Sequence, residues 1–141
     1  MSITFVATEN LHRAARFTYE NMRVYYEQFA PDWNVAKVLE VTQELENLDI
    51  VFQQEVVGVM RLATGDEGYI IRDLQVLPTF QNRGIGKAAV KEAKRRAANA
   101  NVNTLTLRVL KISPAITLYT RNGFTIRSED ERFYHMAATI R

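Results

Sequence analysis

Cysteine is absent from the 141 residues, so no disulfide, thiolate nucleophile or cysteine-ligated metal can be part of the chemistry, a composition compatible with a reducing cytoplasm. Histidine is almost absent: His12 and His135 are the two present, and they offer no metal cluster. No apolar run approaches the ~20 residues that a membrane span needs. The start, from Met1 to Thr8, lacks a charged segment followed by an apolar one and a small-residue cleavage site, and reads as a first strand rather than an export signal. With three prolines, six glycines and no Pro/Gly/Ser-rich stretch, nothing divides the chain. One domain over residues 1–141 is expected, large enough for a single core and small for two.

Net charge is also scarce, formally +2. What positive charge there is gathers between Arg83 and Arg96, where six basic residues face one acid, Glu92. Lys91, Lys94 and Arg95 fit the solvated face of an amphipathic helix whose other face is Ile85, Ala89, Ala93 and Ala97. Arg83 and Lys87, beside two glycines, are the ligand candidates. No aromatic interleaves with these charges, as single-stranded nucleic acid would require, so no nucleic-acid partner is expected.

Periodicity orders the elements. An opening strand precedes a helix over 10–29, capped by Asn10 and carrying Leu11, Ala14, Ala15, Thr18, Met22 and Tyr25 at helical spacing. Pro31-Asp32 interrupts it, and a second helix is predicted over 34–46. The period then changes to two over 49–54, 56–64 and 69–77, with Gly65-Asp66-Glu67-Gly68 as a turn, so three consecutive strands form an antiparallel meander. A helix over 87–99 and a strand over 104–110 complete a βαβ unit, which demands parallel pairing. Ser113 as N-cap and Pro114 as first helical residue open a short helix over 114–121. A final hairpin over 124–127 and 132–139 turns at Ser128-Glu129-Asp130-Glu131. The fold class is α/β (α+β), with helices on a mixed sheet.

The run Gln81-Asn82-Arg83-Gly84-Ile85-Gly86-Lys87 joins a strand to a helix. Glycines there let the backbone turn and approach a ligand, and the free N–H groups of the first helical turn point at an anion. It departs from both common nucleotide patterns: Ala89 stands where G-x-G-x-x-G needs a third glycine, and the G-K-[ST] of a P-loop is missing. Gln81-x-x-Gly84-x-Gly86 resembles instead the Q/R-x-x-G-x-G/A signature of the GNAT superfamily of acetyl-CoA-dependent N-acetyltransferases, and Asp73-Leu74-Gln75-Val76-Leu77-Pro78 is similar to the strand that leads into it. Ser113-Pro114-Ala115-Ile116-Thr117-Leu118-Tyr119-Thr120-Arg121-Asn122-Gly123-Phe124 resembles the family's N-P-A-x-x-L-Y-x-x-x-G-F segment. Phe133-Tyr134-His135-Met136 resembles its closing strand. The resemblance spans the chain and is strongest over 69–136.

It implies a single-domain GNAT-like fold with a mixed central sheet of about seven strands and about four helices. It implies transfer of an acetyl group from acetyl-CoA, as cosubstrate, to a primary amine of a small molecule or peptide by direct attack, without a metal. The pyrophosphate would rest on backbone N–H groups of Asn82, Arg83, Gly84, Ile85, Gly86 and Lys87, and the pantetheine arm on backbone groups of Leu74, Gln75 and Val76. Ser113 stands where many members place an asparagine that touches the arm. Tyr119 would protonate the departing thiolate, whose pKa is about 8.5, from a hydroxyl of about 10.

An arriving ammonium must also lose a proton. The strand positions where the family often carries a base are Arg72 and Arg108, and arginine stays protonated. A water-mediated base is therefore expected, with Glu27, Tyr26 or His135 as distant candidates. Arg72 is placed to bind an anionic group on the acceptor, and Tyr26 and Trp33 are candidates to line its cleft. The acceptor itself is not named by the residues. A non-catalytic acyl-CoA-binding sensor or interaction module of the same fold is the alternative, and exposed final strands admit a homodimer.

Overall fold

The computed structural model describes residues 2–65 and 68–140. Its elements are β1 (Ile3–Ala7), α1 (Leu11–Phe29), α2 (Val35–Thr42), β2 (Glu46–Phe52), β3 (Glu55–Gly65) and β4 (Gly68–Val76), then a 3₁₀ turn (Pro78–Phe80), α3 (Ile85–Asn99), β5 (Thr104–Leu110), α4 (Ala115–Arg121), β6 (Thr125–Glu129) and β7 (Phe133–Thr139). Seven strands form one mixed sheet in the order β1-β2-β3-β4-β5-β7-β6. Together with four α-helices, this is the expected architecture.

The chain divides into two compact units. One runs from the N-terminal residues to Arg61 and takes in Asp73–Ile85; the other comprises Leu62–Arg72 and the chain from Gly86 onward. In the first, Asn10 and Asn34 cap α1 and α2 by accepting from the N–H groups of Arg13 and Lys37, each at 2.9 Å. The two helices pack together, and Ala14, Ala15 and Val38 are buried with Leu48, Ile50, Val57 and Met60. β1 lies antiparallel on β2, Ile3 opposite Phe52 through Ala7 opposite Leu48. In the second unit, β4 and β5 pair in parallel across the α3 crossover, with Tyr69, Ile70 and Ile71 opposite Leu105, Thr106 and Leu107. β7 lies antiparallel between β5 and β6. One face of α3, Ala89, Val90, Ala93 and Ala97, is fully buried.

Several boundaries differ from the sequence expectation. The second helix stops at Thr42, not 46, because the Asn47 amide donates to the carbonyls of Thr42 and Leu45, both at 2.9 Å, and closes its C-terminus. β2 therefore begins early. It turns into β3 through Gln53 and Gln54, both left-handed at φ 53° and 67°, the geometry of a two-residue hairpin turn that usually advertises itself as Asn-Gly. α3 opens at Ile85 rather than Lys87, and the 3₁₀ turn had no sequence signal. Ser113 is not the cap residue of α4; Pro114 occupies that position, yet the Ser113 hydroxyl still accepts from the Ala115 N–H at 3.1 Å. The turn anticipated at Asp66 and Glu67 lies outside the described residues.

Candidate active site

The loop leaving β4 turns on left-handed backbone and is mostly exposed. Asn82 (φ 62°) and Gly84 (φ 84°) both adopt left-handed backbone, which turns the chain sharply just before α3. Asn82, Arg83, Gly84 and Lys87 are exposed, and the first turn of α3 contains no acid to occupy its free N–H groups. Phe80 anchors the loop edge-on to Phe52, ring centres 6.2 Å apart, and the Arg83 guanidinium rests 5.4 Å from the Phe80 centroid. At Gly86 a Cβ would stand 3.0 Å from a methyl of Leu118 on α4, so that side chain would have to shift.

Upstream, the Leu77 N–H donates to Val57 of β3 at 2.8 Å, so alternation aims the backbone groups of Leu77 and Gln75 at β3 and those of Leu74 and Val76 at the opposite edge. β3 lies close to this stretch because residue 58 is glycine; a Cβ there would collide with the Gln75 carbonyl. The Val76 carbonyl already accepts from the Asn21 and Gln81 amides, at 2.8 and 2.9 Å.

Beneath β4 runs a polar network that the sequence reading missed. Arg61, fully buried on β3, donates from Nη1 to Asp73 and to Thr18 Oγ1 (2.7 Å) and from Nε to Asn47 Oδ1 (2.7 Å). Asp73 accepts in turn from Gln75 Nε2 at 2.7 Å, and Gln75 Oε1 from Asn21 at 3.3 Å. Gln75 therefore serves through its side chain as well as its strand. An arginine inside the apolar run from Val56 to Ala63 was the available signal, because a buried guanidinium must find a counter-charge.

Tyr26 stacks between Tyr19 and Trp33, at 5.8 and 5.4 Å between ring centres. Burial first, and the Asp73 carboxylate second, push its pKa up to about 12, with Arg61 opposing. Tyr26 thus stays protonated and can donate but not act as a base. The folded chain holds this proton longer than the unfolded one, so the stability contribution is intact below pH 10 and declines as pH rises toward 12. Ultraviolet titration should show a phenolate step near pH 12 that is missing in Tyr26→Phe, whereas a step at the ordinary 10 would place the hydroxyl in water.

In the second unit, Tyr119 is 6% exposed on α4, its ring edge-on to Phe124 at 5.7 Å. Its carbonyl accepts from the N–H groups of Asn122 (3.0 Å) and Phe124 (3.1 Å), closing the helix. Lys94 is not on a solvated face as expected; its ammonium donates to the Asn122 carbonyl and lies 5.7 Å from the Phe124 ring centre, so it caps α4 at its C-terminus. Lys91 and Arg95 are exposed, Arg95 paired with Glu92 at 2.7 Å. Arg72 and Arg108 are exposed, as is Glu27. His135 meets Asp130 at 3.2 Å, and Asp130 is held below the usual carboxylate range by the N–H groups of Phe133 and Arg132 and by that imidazole. Among the described residues no group of three or more His, Cys, Asp or Glu could hold a metal, and no helix is long and apolar enough to cross a membrane.

Comparison with known proteins agrees with this fold. The chain resembles the PaiA N-acetyltransferase of Thermoplasma acidophilum, solved with coenzyme A, at 19% identity and a TM-score of 0.72 over 99% of both chains. It resembles the ribosomal-protein-S18-alanine N-acetyltransferase of Escherichia coli at 20% identity and a TM-score of 0.73, over 99% of this chain and 94% of the other. An acetyltransferase of Thermus thermophilus gives 17% and 0.76 over 99% and 97%. At such identities these likenesses speak to the fold. No curated protein matches in sequence. Residues 46–126 match the family described as the acetyltransferase (GNAT) domain, more than half of the chain. The chain belongs to the GNAT family of acetyltransferases.

Proposed function

We propose that the protein, acting as a single domain in the cytoplasm, moves an acetyl group from acetyl-CoA to a primary amine of a small molecule or peptide by direct attack. The observation that carries this is the left-handed Asn82 and Gly84 backbone leading into a helix whose first turn carries no acid. Backbone N–H groups from Asn82 through Lys87 hold the pyrophosphate, supported by the charges of Arg83 and Lys87. Pantetheine lies along the free edge of β4, where Leu74 and Val76 present backbone groups. The Val76 carbonyl is already engaged, which leaves its N–H and the Leu74 carbonyl as partners for the arm, with Ser113 as a further contact.

Acetyl-CoA supplies an acyl group activated as a thioester. Tyr119 gives its hydroxyl proton to the sulfur as the carbon–sulfur bond breaks, and water carries the proton of the incoming ammonium to solvent, from which Tyr119 is reprotonated. Arg72 faces the acceptor. No metal and no nucleic acid take part, and the exposed edge strand β6 admits a homodimer.

Gly84→Val tests the loop. A branched side chain strains the left-handed backbone and obstructs the phosphates, so calorimetric affinity for acetyl-CoA should fall at least tenfold. Undiminished affinity would reduce the loop to a turn. The arginines at the two positions where a base was sought favour a second reading, an acyl-CoA-binding sensor without turnover. Free-thiol release over a panel of amines, amino acids, polyamines, aminoglycosides and peptides decides between them; background rates throughout select the sensor.

A further inference from the structure

The sheet face that carries Arg72 holds a second arginine in the same position relative to the β4–β5 pairing. Parallel register sets Ile70 opposite Thr106 and Ile71 opposite Leu107, and antiparallel register sets Arg108 opposite His135 and Leu110 opposite Phe133. Because side chains alternate along strands, Arg72 and Arg108, each one residue past the last β4–β5 pair, share the face of Ile70, Thr106 and His135. Both arginines are exposed. Among the described residues neither is ion-paired.

The Arg108 guanidinium lies 4.1 Å from the centroid of Phe133, its diagonal neighbour on β7. Stacking occupies the face of the guanidinium and leaves its in-plane N–H groups, the ones that grip an oxyanion, to a ligand. His135, third in the row, is already bonded to Asp130, so the two arginines carry the unmatched charge. Two neighbouring guanidinium groups with no acid between them repel each other, and a bound oxyanion relieves that repulsion.

We propose that Arg72 and Arg108 form a clamp for an oxyanion on the acceptor, so that the substrate is a small amine bearing a carboxylate or phosphate rather than a neutral or polycationic amine. This rests on reading the free edge of β4 as the pantetheine strand. With the pyrophosphate held beyond the strand's C-terminal end, the thioester end of the arm points back toward its start. Arg72 follows Leu74 in that direction by two residues, about 7 Å of strand, within reach of an acceptor poised at the thioester.

The test measures binding apart from turnover. Calorimetry on the full chain, saturated with a coenzyme A analogue lacking the thiol, compares α-amino acids with their carboxamides and amino-sugar phosphates with their dephosphorylated forms. At least one anionic member should bind about tenfold or more tightly than its neutral partner, and the arm in which this happens tells carboxylate from phosphate. Arg72→Gln and Arg108→Gln should each remove about tenfold of that preference, leaving affinity for the analogue unchanged as the check on folding. Neutral partners that bind equally well, anionic members that do not bind at all, or variants that keep the preference would overturn the clamp. Free-thiol release from the same pairs with acetyl-CoA reads the catalytic proposal separately. Selective binding without release keeps the clamp and removes the enzyme reading; release without selectivity does the reverse.

Discussion

Replacing Tyr119 with phenylalanine is expected to lower kcat at neutral pH by a hundredfold or more, within the range of roughly 10²–10⁴ that a positioned general acid contributes. The affinity for acetyl-CoA should barely change. The substitution removes one oxygen. The ring is buried against Phe124 at 5.7 Å, and phenylalanine fills the same space, so packing is retained. Helix α4 is also fastened independently of the hydroxyl, by Lys94 on the Asn122 carbonyl, by the Asn122 amide on the Leu118 carbonyl at 2.7 Å, and by Ser113 on the Ala115 N–H. On the proposed mechanism, what disappears is the proton for the departing sulfur. Steady-state rates with saturating acetyl-CoA make the comparison, and an unchanged kcat would remove Tyr119 from the mechanism.

The short helix that carries Tyr119 was legible because a proline opens it and Asn122-Gly123 closes it. Legible too were the loop from Gln81 to Lys87 and the βαβ unit, where the shift from period two to a helical period is unmistakable. Legibility failed where a decision is made by a distant side chain. Nothing in the neighbourhood of Thr42 marks the end of α2; Asn47, reaching back to two carbonyls, ends it. Nor does Gln53-Gln54 look like a tight turn, since glutamine rarely adopts the left-handed backbone it has between these two neighbouring strands. Lys94 was misassigned for a related reason. Helical periodicity gives the direction of a side chain but not the presence of the α4 terminus it reaches. At Gly86 the contact with Leu118 was not legible, because it requires knowing where α4 lies.

Arg61→Met should strongly destabilise the first unit. Removing one partner of a buried ion pair typically costs about 3–5 kcal/mol, because the remaining charge is left without compensation. Two considerations set where in that range it falls. The Asp73 side chain keeps 20% of its exposure and a bond from Gln75, so water and an amide soften its loss. In addition, Arg61 Nη2 is buried without a hydrogen-bond partner, a deficit of about 1–3 kcal/mol that disappears with the guanidinium. Against these, Asn47 and Thr18 each lose a donor. A net loss of about 3 kcal/mol follows, which at the roughly 2–4 °C per kcal/mol appropriate to a chain of this size lowers Tm by about 10 °C. Adding Asp73→Asn to Arg61→Met removes the stranded charge and should recover part of the loss, so the double variant is more stable than the sum of the singles predicts. Because the Asn47 amide also closes α2 and Gln75 is tied to Asn21, the loss should extend to protection of amide hydrogens at the C-terminus of α2 and along β4. Thermal melts within 1 kcal/mol of wild type, or strictly additive singles, would show that the pair is not held as a charge in a dry site, and the network beneath β4 would then be packing with polar atoms rather than an ion pair that stabilises the strand.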